Sequence, residues 1–145
     1  MRSILAGAAG TTALTAAYAI ERRIRRSNRS LDYDDSLVPG KIVVSILQLG
    51  HVTNREEDEL GLALRWSYGS AFGLWHGLLG RHIDEPVATA IFGATLLSAT
   101  LTMFPLLGRT PPPWLWPRGY LATSFATHTV YALTVGIADD ALRAS

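Results

Sequence analysis

Three side chains that can carry charge lie within stretches of otherwise apolar sequence: Arg65, His76 and His128. Histidine is the side chain whose ordinary pKa lies closest to neutral pH, so His76 and His128 could form a proton-sensitive pair. Tyr131 follows His128 by three residues, which places both on one face of a helix. A structural role is also open, because Arg65 could snorkel to a membrane surface or pair with acids, and His128 could hydrogen-bond a neighbouring helix. These four residues form the candidate polar site.

Other kinds of chemistry find no support in the sequence. The chain has no cysteine, which excludes disulfides, thiolate metal sites and thiol catalysis. Two histidines without cysteines or nearby acids are too few ligands for a metal ion, and the apolar stretches hold no nucleophile elbow, phosphate loop or carboxylate pair. A formal net charge of +1 does not suit a nucleic-acid-coating protein. We therefore predict a protein that is not an enzyme and has no metal, no cofactor and no nucleic-acid partner.

The elements that carry the candidate residues are long apolar stretches at 3–20, 60–80, 87–107 and 119–138, and only the second contains a charged residue, Arg65. A helix needs about 20 residues to cross a hydrocarbon core of about 30 Å. A soluble helical bundle would show a charged stripe on the outward face of each helix, which these stretches lack. The sequence therefore predicts an all-α fold, with residues 1–145 forming a single membrane domain that is a four-helix transmembrane bundle.

The first stretch has a second interpretation as a secretory signal peptide. Arg2, an apolar run and then Ala17-Tyr18-Ala19 are similar to such a signal with its cleavage site. Arginines follow directly at positions 22, 23, 25 and 26, where they oppose translocation and act as a cytoplasmic stop. We therefore expect that the first helix is retained.

The distribution of Lys and Arg predicts the orientation in the membrane. Nine of these residues lie in the loops 21–59 and 109–118, whereas the opposite side has Arg2, Arg81 and Arg143. Cytoplasmic loops of membrane proteins carry an excess of Lys and Arg. Both loops are therefore predicted to be cytoplasmic, and both chain termini extracytoplasmic.

The cytoplasmic loop 21–59 contains two further signals. Apolar residues recur at helical spacing between Pro39 and Gly50, which predicts a short amphipathic helix that lies along the inner interface because it is too short to span. Thr53 and Glu56 have the spacing of a capping box, in which each side chain satisfies a free backbone N–H at a helix start. The second membrane helix is therefore predicted to begin near Asn54.

The loop after the third helix is rich in proline and contains Trp114 and Trp116. Tryptophan is enriched at the headgroup level of membranes, which predicts that both residues are interfacial anchors. A proline-rich ligand for an aromatic groove is the alternative.

Small residues mark the helix faces that would contact protein. In the second helix Gly69, Gly73 and Gly77 repeat the GxxxG spacing that lets helices approach closely in lipid. An arc of about 80° on this helix contains Arg65, Gly69, Gly73, His76 and Gly80, and Gly77 lies just beside it. A matching row of small residues lies in the first helix. We predict six helix-packing residues: Gly7, Gly10, Gly69, Gly73, Gly77 and Gly80.

Parts of the sequence resemble the YagU-type small inner-membrane proteins. The resemblance is carried by WSYGSAFGLWHGLL at 66–79, IFGA at 91–94, PLLG at 105–108 leading into PPPW at 111–114, and HTVYA at 128–132. It covers about residues 61–142, and the region around Gly7 and Gly10 is also similar. The pattern is one of small and aromatic residues.

The resemblance implies a multi-pass protein of the bacterial inner membrane, from a family without an established molecular activity and associated at most with tolerance of acid. By the same resemblance Gly69, Gly73, His128 and Tyr131 occupy recurring positions of the family. Arg65 does not match the family pattern, so its candidate role depends on its place on the helix face.

Two functional hypotheses follow. The first is a structural or accessory module in the lipid bilayer, which associates with itself or with another membrane protein through its glycine-rich faces. The alternative is a small proton-linked transporter or pH-responsive conduit that uses Arg65, His76 and His128.

Overall fold

The computed structural model describes residues 1–24, 43, 53–107 and 110–144. These residues form four α-helices without a strand: α1 (Arg2–Ile24), α2 (Asn54–Leu79), α3 (Val87–Leu107) and α4 (Arg118–Ala144). A short 3-10 helix, Pro113–Leu115, precedes α4. The prediction of an all-α fold is confirmed. Apart from Val43, the predicted interfacial helix lies outside the described residues.

Three of the four helices are long and apolar enough to cross a membrane. They are Arg2–Glu21 of α1, the whole of α3 and the whole of α4. The helix α2 is not among them, because acidic residues fill its first two turns and its apolar part includes Arg65, His76 and several glycines, which lower its mean hydropathy. The structure is therefore consistent with a membrane protein that has three apolar helices and a more polar fourth.

The helix α2 begins where the sequence predicts. Thr53 has extended backbone geometry, and its side chain accepts a hydrogen bond from the backbone N–H of Glu56. The Glu56 carboxylate in turn accepts one from the backbone N–H of Thr53, at 2.8 Å. The two contacts complete the predicted capping box and fix the first turn of the helix.

The four helices alternate in direction, and α1 lies between α2 and α4. Ser3 lies against Gly77 at one end of the α1–α2 contact, whereas Tyr18 lies against Arg65 at the other. Arg2 contacts Asp139 near the end of α4, so both termini are at the same end of the bundle. The short connection between α2 and α3 is at this end as well, and we call it the terminal end.

The backbones of α1 and α2 approach each other closely at two glycines. A β-carbon added at Gly7 would lie 2.5 Å from the carbonyl oxygen of Ser70, and one added at Gly73 would overlap the carbonyl oxygen of Ser3. Only glycine fits at such a distance, because any side chain would push the helices apart. The two glycines therefore set the separation of α1 and α2.

Large apolar side chains lie mostly on the outside of the bundle. Ile137 is 71% exposed and Phe125 60% exposed, whereas the interior is built around Phe92 and Val135, which are fully buried. Hydroxyl groups on the outer faces bond to their own helix, as Thr95 does to the carbonyl of Ile91 at 2.8 Å. An outer surface of this kind suits a surrounding of hydrocarbon, where no water is present to satisfy polar groups.

Candidate functional site

A buried carboxylate organises the terminal end of the bundle. Asp139 of α4 is fully buried, and its Oδ1 accepts a hydrogen bond from Nε of Arg2 at 3.1 Å. Its Oδ2 accepts two from Arg143, from Nη2 at 2.7 Å and from Nε at 3.1 Å. Two cations thus compensate one buried charge, which is the arrangement that burial of a carboxylate demands.

His76 lies next to this carboxylate and is itself fully buried. Its Nε2 is 3.1 Å from Oγ1 of Thr89 and 2.9 Å from Oε1 of Glu85, and its Nδ1 is 3.7 Å from Oδ2 of Asp139. Within the described chain, neither His76 Nδ1 nor Glu85 Oε1 makes a hydrogen bond. The imidazole of His76 thus lies between two carboxylates, with Glu85 facing its Nε2 and Asp139 facing its Nδ1.

The cluster joins all four helices, and local sequence explains part of it. Asp139 and Arg143 are four residues apart on α4, a spacing that places them on one helix face. Arg143 also donates from Nη1 to the carbonyl of Gly80 at 2.9 Å and so satisfies a free carbonyl at the end of α2. Glu85 accepts from the backbone N–H of Thr89 at 3.2 Å and caps the start of α3. We call Arg2, His76, Glu85, Asp139 and Arg143 the ion cluster.

A second group of the candidate residues lies in the other half of the bundle, around a cavity next to α2 and α3. A cavity of about 370 Å³ opens there between the two helices and is lined mainly by apolar and aromatic side chains, among them Phe72 and Leu96. The candidate residues Arg65, His128 and Tyr131 also line it. Arg65 is only 5% exposed, and its guanidinium carbon lies 5.0 Å from the ring centre of Tyr18, in a cation–π contact.

The hydrogen bonds of His128 define its tautomer. Its Nδ1 lies 2.7 Å from the carbonyl oxygen of Ser124, which can only accept, so Nδ1 carries the proton and donates it. Its Nε2 lies 2.8 Å from Oγ1 of Thr100, whose hydroxyl donates to a neutral ring. The Tyr131 hydroxyl donates to the carbonyl of Gly69. Both side chains therefore bind helices together, in the way expected for buried polar groups in lipid.

The structure does not bring the two histidines together. His76 contacts Thr89 and His128 contacts Thr100, and these threonines are eleven residues apart on α3, or about 16 Å along the helix axis. Phe92 lies between the two regions, because its ring centre is 5.3 Å from that of His76 and 5.8 Å from that of Tyr131. The candidate polar residues thus divide into an ion cluster and a cavity, separated by aromatic rings.

The predicted packing glycines all face neighbours within the same chain. Besides Gly7 and Gly73, a β-carbon at Gly10 would meet α4, one at Gly69 or Gly77 would meet side chains of α1, and one at Gly80 would meet the guanidinium of Arg143. The glycine row of α2 is therefore occupied by α1.

The two tryptophans of the proline-rich loop have different surroundings. Trp114 is 81% exposed, whereas Trp116 is 5% exposed. Trp116 donates from Nε1 to the carbonyl of Pro111 at 2.6 Å and packs edge to face on Tyr120. Trp114 has the exposure that an interfacial anchor needs, and Trp116 holds the loop against the start of α4.

Most of the ion cluster was not predicted from the sequence. Arg2 and Arg143 were counted there only for the orientation in the membrane, and Asp139 and Glu85 were not singled out. The spacing of four between Asp139 and Arg143 is a local signal that could have linked these two residues. No local signal links them to Arg2, which is 137 residues away from Asp139 in the chain.

Comparisons with known proteins do not place the chain in a family. No protein-family model matches it, and no curated protein or solved structure matches it significantly. The resemblance to the YagU-type proteins therefore stays a prediction.

Proposed function

We propose that the chain is a four-span protein of the bacterial inner membrane that acts as a structural or accessory module and not as an enzyme. The position of α2 supports four spans. From Gly77 beside Ser3 to Arg65 beside Tyr18, α2 runs antiparallel along most of α1. If α1 crosses the membrane, this part of α2 crosses with it, and α1 shields its polar glycine face from lipid.

Labelling of introduced cysteines tests this topology without background, because the natural chain has no cysteine. Three exposed positions are suitable: Arg55 before the span of α2, His82 after it, and Ala141 near the C-terminus. With both termini extracytoplasmic, a membrane-impermeant maleimide labels the His82→Cys and Ala141→Cys variants in intact spheroplasts. The Arg55→Cys variant is labelled only after lysis. If the Arg55→Cys and His82→Cys variants are labelled from the same side of the membrane, α2 does not cross and the four-span proposal is wrong.

The role as a module is supported by how the interior polar groups are used. In the ion cluster Asp139 ties α1 and α4 together, and around the cavity His128 ties α4 to α3. Phe92 and Tyr131 fill the interior between these regions. Such an interior holds four helices in one arrangement. Because the glycine row of α2 is covered by α1, a partner or a second copy would contact the outer faces of the bundle instead.

A proton-linked conduit is the second candidate, favoured by the position of His76 between Glu85 and Asp139. Proton flux into vesicles that contain the purified protein distinguishes the two. The module hypothesis predicts no flux above that of empty vesicles across a range of pH. A flux that is abolished by His76→Ala, in a variant that still folds, would establish the conduit and refute the module.

A further inference from the structure

We propose that the terminal end of the bundle binds the phosphate group of an anionic phospholipid, between α1 and α2. The site is a cavity of about 260 Å³ that we call the arginine pocket, and it is lined by Arg2, Ser3, Leu74, Gly77, Leu78 and Arg81. These residues and their chain neighbours all lie within the described ranges 1–24 and 53–107. The choice of a lipid as the source of the phosphate rests on the proposed membrane location.

Helix packing and a turn bring the two sides of the arginine pocket together. A β-carbon added at Gly77 would overlap the hydroxyl oxygen of Ser3, so the first turn of α1 lies against the last turn of α2. Arg81 lies two residues beyond the end of α2, and its backbone N–H donates to the carbonyl of Leu78 at 3.2 Å. The turn that carries Arg81 is therefore held beside the start of α1.

The arginine pocket offers hydrogen-bond donors that the protein itself does not use. Within the described chain, neither the guanidinium of Arg81 nor the hydroxyl of Ser3 has a hydrogen bond or an ion pair. Arg2 donates to Asp139 through Nε alone, at 3.1 Å, which leaves its two Nη groups for a ligand. None of the six lining residues is acidic. An anion with several oxygens matches these donors, because the guanidinium fork has the geometry of carboxylate and phosphate.

Arg81 supplies the uncompensated charge of the arginine pocket. The charge of Arg2 is shared with Asp139, although a second arginine also donates two hydrogen bonds to that carboxylate. Asp84 and Glu85 are the acids nearest to Arg81 in the chain, and neither lines the pocket. A cation at the level of the head groups attracts anionic lipids. The pocket therefore favours a ligand with a net negative charge over a zwitterionic one.

Two exposed leucines extend the arginine pocket towards the middle of the bundle. Leu78 lies in the last turn of α2 and is 44% exposed, and Leu74 lies about 6 Å deeper and is 52% exposed. The volume of about 260 Å³ is below the about 300–1,000 Å³ of sites that enclose drug-sized molecules, so the pocket suits a head group. An acyl chain attached to that head group would lie outside the pocket, along the two leucines.

The level of the arginine pocket agrees with a lipid in a bilayer. Arg2 directly precedes the apolar stretch 3–20, and Arg81 directly follows the stretch 60–80. The ends of apolar stretches lie where hydrocarbon meets the head groups. If α1 and α2 cross the membrane, both arginines lie at the level of the lipid phosphates, and the leucines lie in the hydrocarbon. A bound lipid would thus keep its usual orientation.

Native mass spectrometry of the delipidated full chain in neutral detergent tests the site. The probes are phosphatidylglycerol, phosphatidylethanolamine with the same acyl chains, and inorganic phosphate as a competitor in excess. Arg81→Gln removes the uncompensated charge, and Arg118→Gln, at an exposed arginine of the opposite end, is its control. Leu78→Glu places a carboxylate in the arginine pocket, and Leu106→Glu, at an exposed leucine in the last turn of α3, is its control. Arg2 is left unchanged, because its replacement would also disturb the ion cluster.

We expect the natural chain to retain one phosphatidylglycerol about tenfold more tightly than phosphatidylethanolamine, whose ammonium group cancels the charge of its phosphate. Arg81→Gln lowers the affinity for phosphatidylglycerol about fivefold, which is the attraction that one arginine exerts on an anionic lipid. Leu78→Glu abolishes the preference, because its carboxylate pairs with Arg81 and repels the phosphate. Both controls bind like the natural chain. Inorganic phosphate does not displace the lipid, since it has no hydrocarbon to contact the leucines.

Four results would overturn the proposal: no retention of phosphatidylglycerol, equal retention of the two lipids, an equal loss of affinity in the Arg81→Gln and Arg118→Gln variants, or displacement of the lipid by inorganic phosphate. The last result would identify free phosphate as the ligand. If Arg81→Gln does not fold, Arg81→Lys replaces it and has to keep the preference, while Leu78→Glu still has to abolish it.

The lipid test and the topology test fail separately. Failure of the lipid test leaves the cysteine labelling unchanged. Labelling of the Arg55→Cys and His82→Cys variants from the same side, conversely, refutes the four spans and leaves the binding measured on the purified chain standing.

Discussion

Replacement of Asp139 by asparagine should destabilise the whole bundle, because this residue holds the terminal end together. The substitution keeps the size of the side chain and removes its charge. The asparagine oxygen can accept from one arginine only, and its NH₂ group then faces the donors of the other. Arg2 and Arg143 would lose their common partner, and α1 would lose its link to the end of α4.

The expected loss can be worked from the three hydrogen bonds that the carboxylate accepts. Each bond to a charged group contributes about 1.5–3 kcal/mol, and removal of one partner of a buried ion pair costs about 3–5 kcal/mol. The side chains of Arg2 and Arg143 are 43% and 31% exposed, so water replaces part of what they lose. We therefore expect a decrease of about 3 kcal/mol in the free energy of unfolding, or about 6–12 °C in Tm for a chain of this size.

Thermal unfolding in a neutral detergent, followed by far-ultraviolet circular dichroism at neutral pH, measures this shift. Asp140→Asn is a matched control, since it makes the same change at the adjacent, exposed position. We expect its effect to stay within about 0.5 kcal/mol, as is usual for surface substitutions. Equal Tm values for Asp139→Asn and Asp140→Asn would refute the reasoning, because the buried carboxylate would then contribute no more than a solvated one.

Three further predictions concern other parts of the bundle. Gly73→Ala forces α1 and α2 apart and should lower the free energy of unfolding by about 1–3 kcal/mol, measured by thermal unfolding. Ala71→Leu, on the exposed face of α2, should leave the free energy of unfolding unchanged. Equal melting curves for the two variants would contradict the close approach. Thr100→Val leaves Nε2 of His128 without its hydrogen-bond donor and should lower the free energy of unfolding by about 1–3 kcal/mol. Thr95→Val should have little effect, because the Thr95 hydroxyl bonds only to its own helix. The pKa of Glu56 is lowered by hydrogen bonds from Thr53, first from its backbone N–H and then from its side chain. The Glu56 carboxylate therefore stabilises the start of α2 fully above the ordinary pKa of a glutamate, and this stabilisation is lost as the pH falls through the lowered pKa. The protection of the Thr53 and Glu56 amide protons against hydrogen exchange, taken relative to the intrinsic rate at each pH, should therefore decrease only in acid, and a lack of protection already at neutral pH would disprove the cap.

The apolar stretches of the sequence correspond to helices of the structure, but not every stretch has the bounds of its helix. The predicted third stretch and α3 have the same bounds, 87–107, since apolar sequence and helix end together there. The fourth predicted span is 119–138, and the helix that contains it, α4, continues to Ala144 through Asp139 and Arg143. Helical hydrogen bonds do not need apolar side chains, so the end of an apolar stretch does not mark the end of its helix.

The sequence by itself determined that the chain is helical and where α2 begins. It predicted four membrane-spanning stretches, and three of them correspond to helices that are apolar enough to cross a membrane. These properties depend on residues close together in the chain: hydropathy over about 20 residues and a capping box over four. Only the tertiary structure decided that the glycine row of α2 faces α1, that the two histidines belong to different regions, and that Arg2 meets Asp139. Such contacts depend on which helix faces meet and on how the helices are shifted along their axes. Both are fixed by packing between helices that are far apart in the chain.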